Sequence, residues 1–118
     1  MIIEQFLIEK LNQWLDVPVY AEVPQDPPER FAVLERVGLK RENHVTDASI
    51  AFQSHSTKSL YDAATLDGVV RAAVWLLETL PEISGVRLAS SYNHTDPETK
   101  RYRYQSTFEI YFVDTTEV

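Results

Sequence analysis

The first helix is predicted from apolar residues that recur at helical spacing near the start of the chain. Ile3, Leu7, Leu11 and Trp14 form one stripe. This pattern predicts a helix over residues 2–15, which ends before a proline that has no amide hydrogen to donate.

The second helix is the clearest helical prediction, and Pro81 ends it. Thr57 or Ser59 is predicted to cap it, and Ser59 with Asp62 forms an approximate capping box. Its core-facing stripe consists of Ala63, Leu66, Val70, Ala73, Val74, Leu77 and Leu80.

Alternation of apolar and polar residues predicts the strands. The fifth has the clearest alternation, and Pro18 favours a sheet edge for the first. Gly38 is predicted to end the second strand, before a polar loop over residues 39–46. The five predicted strands span residues 17–23, 31–37, 48–53, 85–92 and 102–113.

This element order, αβββαββ, predicts an α+β fold in one domain over residues 1–118. We expect a single, mainly antiparallel β-sheet with two helices packed on one face. The other face is predicted to be polar, and therefore solvated or in contact with another subunit. It carries Gln53, His55, Arg103, Gln105, Thr107 and Glu109.

Composition excludes several classes of function. The 118 residues include 18 acidic and 11 basic side chains, for a net charge of −7. This balance argues against specific nucleic-acid binding and against docking on an anionic membrane. The chain has no cysteine, which removes disulfides, zinc–thiolate sites and a thiol nucleophile. The N-terminus has no signal-peptide pattern, so we expect an intracellular protein.

Catalytic and metal-binding patterns are weak. His44, His55 and His94 have no partner at metal-ligand spacing, and we expect all three on the surface without a bound metal. No strained nucleophile turn or glycine-rich phosphate loop is present, so no catalytic residue and no cofactor are predicted. Asp47 and Glu109 can meet across the sheet, but the pattern alone indicates only solvated surface charge.

Basic residues form two groups against the acidic background. Lys100, Arg101 and Arg103 are close in sequence, and Lys40 and Arg41 lie in another predicted loop. Two interpretations stay open: ordinary charged loops, or electrostatic steering of an acidic partner or neighbouring subunit.

Trp75 lies opposite the apolar stripe of the second helix. It shares that side with Ala64, Gly68 and Ala72, a smooth surface that is unlikely to be left in water. Either the first helix packs on this side, or another subunit does. Arg71, which interrupts the apolar stretch around Trp75, completes the set of candidate interaction residues.

Several short segments resemble the tail terminator, or tail completion, proteins of long-tailed bacteriophages. The likeness covers about residues 14–113 and also includes the order of the elements. Its segments are Glu29–Gly38, Gly85-Val86, Tyr92-Asn93, Asp96-Pro97-Glu98-Thr99 and Arg103-Tyr104-Gln105.

The resemblance implies a structural role in the virion, with assembly in the host cytoplasm. Such proteins form a ring, usually of six subunits, on the head-proximal end of the tail tube. The ring stops tube polymerisation and presents a surface to the head connector, and no catalytic residues are implied. The alternatives are another neck or head–tail joining protein, a monomeric binding module, and a small enzyme with a cryptic site.

Overall fold

A computed structural model describes residues 1–98 and 101–113. The helices and strands follow one another in the order predicted. The second helix ends at Trp75, however, and a 3-10 turn occupies Leu76–Thr79, where the prediction continued the helix to Pro81. The elements are α1 (Ile3–Trp14), β1 (Val19–Tyr20), β2 (Arg30–Glu42), β3 (Val45–Ser56), α2 (Leu60–Trp75), β4 (Ile83–Asn93) and β5 (Tyr102–Phe112).

The strands form one mixed sheet in the order β1-β2-β3-β5-β4. β1 runs parallel to β2, while β2–β3, β3–β5 and β4–β5 are antiparallel. An α+β fold with a mainly antiparallel sheet is therefore present. The first strand is much shorter than its predicted span of 17–23 and lies at the sheet edge.

The prediction of a polar loop over residues 39–46 is wrong. β2 continues past Gly38 to Glu42, and a two-residue turn at Asn43 and His44 leads directly into β3. Both turn residues have positive φ, 51° and 68°, as a hairpin turn with the twist of the flanking strands requires. Lys40 and Arg41 are consequently strand residues.

The core lies between the helices and alternate side chains of the sheet. α1 buries Ile3, Leu7 and Leu11, while the Trp14 side chain is partly buried. α2 buries six of its side chains, including Leu66. The sheet contributes Ala32, Leu34, Ala48, Ile50, Phe52, Phe108, Ile110 and Phe112 to the same cluster. The two predicted helical stripes are therefore the surfaces that bury the hydrophobic core.

The start of α2 follows the predicted cap in part. The Ser59 side chain accepts a hydrogen bond from the backbone N–H of Asp62 at 2.9 Å. The Asp62 carboxylate does not complete a capping box. It accepts from Ser56 Oγ at 2.6 Å and from Arg30 Nε at 2.9 Å. These bonds connect the helix start to β2 and to the end of β3.

A buried carboxylate fixes the middle of α2 on the sheet. Asp67 is 1% exposed, and its Oδ1 accepts from Ser106 Oγ at 2.6 Å. Its Oδ2 accepts from Ser91 Oγ at 3.0 Å and from Arg71 Nε at 2.9 Å. A buried carboxylate is tolerated only when donors surround it, and here both oxygens have them. The Arg71 guanidinium is thus engaged within the molecule.

Candidate functional site

The sheet face turned away from the helices carries two charged clusters. They lie at opposite ends of β3, around Asp47 and around His55. The eight residue-to-residue steps from Asp47 to His55 span about 26 Å at the rise of an extended strand. The two basic groups of the sequence, Lys40 with Arg41 and Arg101 with Arg103, therefore do not converge.

The first cluster, named the acid pair, consists of Asp47 and Glu109. Ser49 Oγ lies 2.8 Å from both carboxylate oxygens of Glu109, to which it donates. Lys40 Nζ lies 3.9 Å from Asp47 Oδ2. Asp47 Oδ1 is buried with no hydrogen-bond donor among the residues the structure describes. The sheet register thus places two like charges side by side where the sequence indicated only surface charge.

Proximity separates the pKa values of the pair. Burial, followed by a hydrogen bond to Glu109 and by its negative charge, raises the pKa of Asp47 from 3.8 to about 6. The pKa of Glu109 is lowered, first by that bond with Asp47 and then by Ser49 and the charges of Arg87 and Lys40. A proton held by Asp47 is therefore shared with an ionised Glu109.

A depression of about 500 Å³ adjoins the acid pair at the β2–β3 hairpin. Its lining contains charges of both signs together with a tyrosine ring. The residues are Lys40, Arg41, Glu42, Asn43, Val45, Asp47 and Tyr111. This arrangement can accept a polar side chain or a small polar molecule.

The second cluster is a stack of rings and guanidinium groups at the opposite end of the face. The His55 ring stacks on Phe31 with centroids 4.5 Å apart. The Arg101 guanidinium lies 5.1 Å from the Phe31 centroid and donates to the Pro28 carbonyl at 3.3 Å. Arg103 Nε donates to the His94 carbonyl at 2.9 Å. The Arg101 contacts attach the start of β5 to β2 and to the segment before it, while the Arg103 bond closes the β4–β5 hairpin.

The expectation that all histidines lie on the surface is wrong for His55. Its side chain is buried: the Phe31 ring stacks on it, and Val23, Asp96, Arg101 and Arg103 line the same small depression. Burial, with smaller effects from the charges of Arg103 and Arg101, lowers the pKa of His55 to about 4. The ring is neutral near pH 7 and is not a candidate acid or base there. His44 and His94 are exposed, as expected.

The outward side of α2 is an apolar surface, named the α2 outer face. Trp75 is 41% exposed, and its ring packs edge-on against Phe108 with centroids 5.5 Å apart. Since these side chains are exposed, α1 does not cover this side, and that alternative is wrong. The exposed apolar side chains along it are Tyr61, Val69, Trp75 and Leu76.

The two lateral sides of the sheet are open and differ from each other. On one side, β1 pairs with β2 at Ala32 and Val33, and no strand in the described chain pairs with β2 beyond that point. Val37 and Leu39 are exposed along this edge. On the other side β4 is the terminal strand of the described sheet, and Trp75 packs on Phe108 of the adjacent strand β5.

The structure describes six of the seven sequence-predicted interaction residues, and Lys100 lies outside the described residues. Trp75 is on an open surface, and Lys40 and Arg41 line the depression. Arg71, Arg101 and Arg103 are engaged in intramolecular contacts. The open edges of β2 and β4 and the closeness of Asp47 to Glu109 were not predicted from the sequence. They follow from strand order and register, which the alternation pattern alone does not determine.

The described residues contain neither a cluster suited to a metal ion nor a helix suited to a membrane. No group of three or more histidine, aspartate or glutamate side chains in residues 1–98 and 101–113 is arranged to hold a metal ion. Within the same ranges, no helix combines the length and apolar character needed to cross a bilayer. Comparison with models of known protein families and with curated proteins finds no match to this chain.

Proposed function

We propose that this protein is a tail terminator of a bacteriophage or prophage. Copies of the chain associate into a ring, with six the expected number, on the head-proximal end of the tail tube. The ring stops tube polymerisation and joins the tube to the head connector. The sequence resemblance motivates this role, in which surface complementarity rather than catalysis does the work.

The observation that carries the proposal is the difference between the two lateral sides of the sheet. One side has the β2 edge with exposed Val37 and Leu39, and the other has the β4 edge, next to the strand on which Trp75 packs. A ring requires heterologous contacts, in which one patch meets a different patch on the next copy. Two unlike lateral surfaces on one chain meet that requirement.

The ends of the sheet support two further contacts. The hairpin end carries Lys40, Arg41 and the depression, and the opposite end carries Arg101 and Arg103. If the strands run roughly along the ring axis, these ends face different axial neighbours. One end then meets the tube protein and the other meets the connector, each through its own arrangement of charge.

The first test is native mass as a function of protein concentration, with and without tail tube protein. A ring of six 13.6 kDa chains has a mass of about 82 kDa. We expect that species alone or on the tube, and tubes whose growth stops when the protein is added. Tubes that elongate unchanged, with no higher-mass species, would contradict the proposal. Another neck protein would form the ring without stopping the tube.

A small enzyme is the second candidate, and one observation favours it. The acid pair combines an ionised Glu109 with an Asp47 whose pKa is raised to about 6, next to a depression. Separated carboxyl pKa values are the usual basis of acid and base roles. Chromogenic ester and glycoside substrates test it: hydrolysis by the native chain that is abolished in both Asp47→Asn and Glu109→Gln supports an enzyme.

A further inference from the structure

The β4 edge carries little of the charge by which proteins usually protect edge strands. Such strands normally carry lysine, proline or inward-pointing charge, or are very short, because their free N–H and C=O groups can pair with other chains. β4 has 11 residues, and Arg87 is its one charged side chain. It has no proline. β2 carries charged side chains, Lys40 among them, and it also has the exposed apolar side chains Val37 and Leu39 beside its edge.

The strand directions allow the two edges to pair with each other in successive copies. β4 runs antiparallel to β5, β5 to β3, and β3 to β2, so β4 and β2 point in opposite directions. Rotation about an axis along the strands preserves these directions. The β2 edge of one copy therefore meets the β4 edge of the next as an antiparallel neighbour.

One irregularity on each edge lies at the same level of the sheet. β2 shifts register between Arg36 and Gly38, and β4 shifts between Leu88 and Ser90 and again between Ile83 and Gly85. The β2 shift and the Leu88–Ser90 shift both lie next to the row of paired residues (a rung of the sheet) that passes through Ile50 of β3. On the hairpin side of that rung each edge has a regular stretch, Gly38–Glu42 on β2 and Gly85–Leu88 on β4.

The side chains of these stretches are compatible at the same level of the sheet. Leu39 and Val86 share a rung through Ala48 and Ile110 and point to the helix side. Pairing of the edges would cover the exposed Leu39 with an apolar neighbour. On the outer side, Lys40 is level with Gly85, which has no side chain to obstruct it.

We propose that the occupant of each edge is a second copy of this chain. Gly38–Glu42 of one copy pairs in antiparallel fashion with Gly85–Leu88 of the next, so that the sheets join into one closed, continuous sheet. The inference rests on the proposed ring and specifies its subunit contact. It places the helices on one side of the joined sheet and the acid pair on the other.

The absence of cysteine from the chain permits a direct test by disulfide formation. Gly38→Cys or Lys40→Cys is mixed with Arg87→Cys under mild oxidation, at concentrations where the native chain forms its ring or on tube ends. We expect mixed dimers in about tenfold excess over dimers of either variant alone, because neighbouring residues have millimolar effective concentrations. The preferred β2 partner reports the stagger of the two strands.

Glu9→Cys on the exposed side of α1 is the matched control, and it should give no excess of mixed dimers with Arg87→Cys. A ring that forms without the mixed β2–β4 dimer overturns this inference and leaves the ring intact. Dimers of Arg87→Cys with itself overturn it as well, since they indicate a two-fold contact. A chain that forms no ring and no cross-link, even on tube ends, overturns both proposals.

Discussion

The two faces of the sheet hold their carboxylates in opposite ways. On the helix side, Asp67 and Asp62 accept hydrogen bonds from hydroxyl and guanidinium groups. On the outer side, Asp47 faces Glu109, and its buried Oδ1 has no donor in the described part of the chain. The difference indicates that the helix side is built for stability. The outer side keeps an unfavourable charge arrangement that folding alone does not require.

Among the charged side chains of the two faces, the largest expected effect is on the helix side, from Asp67→Ala. The change leaves the buried Ser106 hydroxyl without its acceptor and removes the acceptor of Ser91 and Arg71. We expect the free energy of unfolding to fall by about 2–3 kcal/mol. Urea denaturation measures it.

Asp67→Asn is the matched control, because the asparagine side chain has nearly the same size as aspartate and retains one acceptor oxygen. We expect its loss to be smaller than that of Asp67→Ala. Asp47→Asn on the outer face should cost no stability near pH 7. If Asp67→Ala were as harmless as Asp47→Asn, the contrast between the two faces would be lost.

The helix side also includes the exposed α2 outer face, which Trp75→Ala tests. The Trp75 ring is partly exposed and contacts Phe108 edge-on, so we expect the free energy of unfolding to fall by about 1 kcal/mol. Self-association should weaken by about tenfold if the ring also meets the next subunit. Analytical ultracentrifugation and urea denaturation separate the two quantities.

Leu77→Ala is the control for this variant. Leu77 is fully buried, so its truncation should lower folding stability by about 2–4 kcal/mol without removing an exposed contact. If Trp75→Ala behaves in the same way and association per folded chain is unchanged, Trp75 belongs to the core.

The elements that were predicted correctly from the sequence are those that leave a local pattern in it, such as periodicity, a cap or alternation. The helices follow from side-chain periodicity, because α1 and α2 bury the stripes that the pattern indicates. The Ser59 cap could also be predicted, because its hydrogen bond joins residues only three positions apart in the chain. The core-facing side chains Phe108, Ile110 and Phe112 of β5 were recognisable from strict alternation.

The β2–β3 hairpin was missed because its turn lacks the usual signal. Asn43 and His44 adopt positive φ without a glycine, and the charged residues before them resemble a loop. The acid pair and the burial of His55 depend on which residues become cross-strand neighbours. Alternation assigns a residue to a face, but pairing between distant strands sets its neighbours.

Opposite pH dependences are expected for the outer and inner carboxylates. The raised pKa of Asp47 means that its protonated form stabilises the fold. That contribution is fully present below about pH 3.8 and is lost as the pH rises to about 6. Asp47→Asn should therefore gain at least about 1 kcal/mol relative to the native chain across this range.

Asp62 has the opposite sign. Its pKa is lowered, first by the Ser56 hydrogen bond, so its stabilising effect is present above 3.8 and is lost as the pH falls through the lowered value. Asp62→Asn should cost about 1 kcal/mol near pH 7, and the deficit should shrink in acid. Urea denaturation from pH 3 to 7 gives both curves, and parallel curves for the two variants would contradict the comparison.

The smallest effect on folding is expected at the far end of the outer face, from Arg103→Glu. Arg103 donates to one carbonyl, and its charge lowers the pKa of the neighbouring His55. We expect the free energy of unfolding to change by no more than about 0.5 kcal/mol. Reversal of the charge should raise the His55 pKa above about 4, which NMR titration of the ring measures.

The same variant tests whether this end serves a partner. If Arg103 steers an acidic surface of the tube or connector, Arg103→Glu weakens docking at low salt, and added salt narrows the difference from the native chain. Arg103→Gln removes the positive charge without reversing it, and it should dock with an affinity between those of the native chain and Arg103→Glu.

Equal docking of the native chain, Arg103→Glu and Arg103→Gln at low salt would show that the arginine only secures the β4–β5 connection. The axial contact would then have to be sought at the hairpin end, where Lys40 is exposed beside the depression.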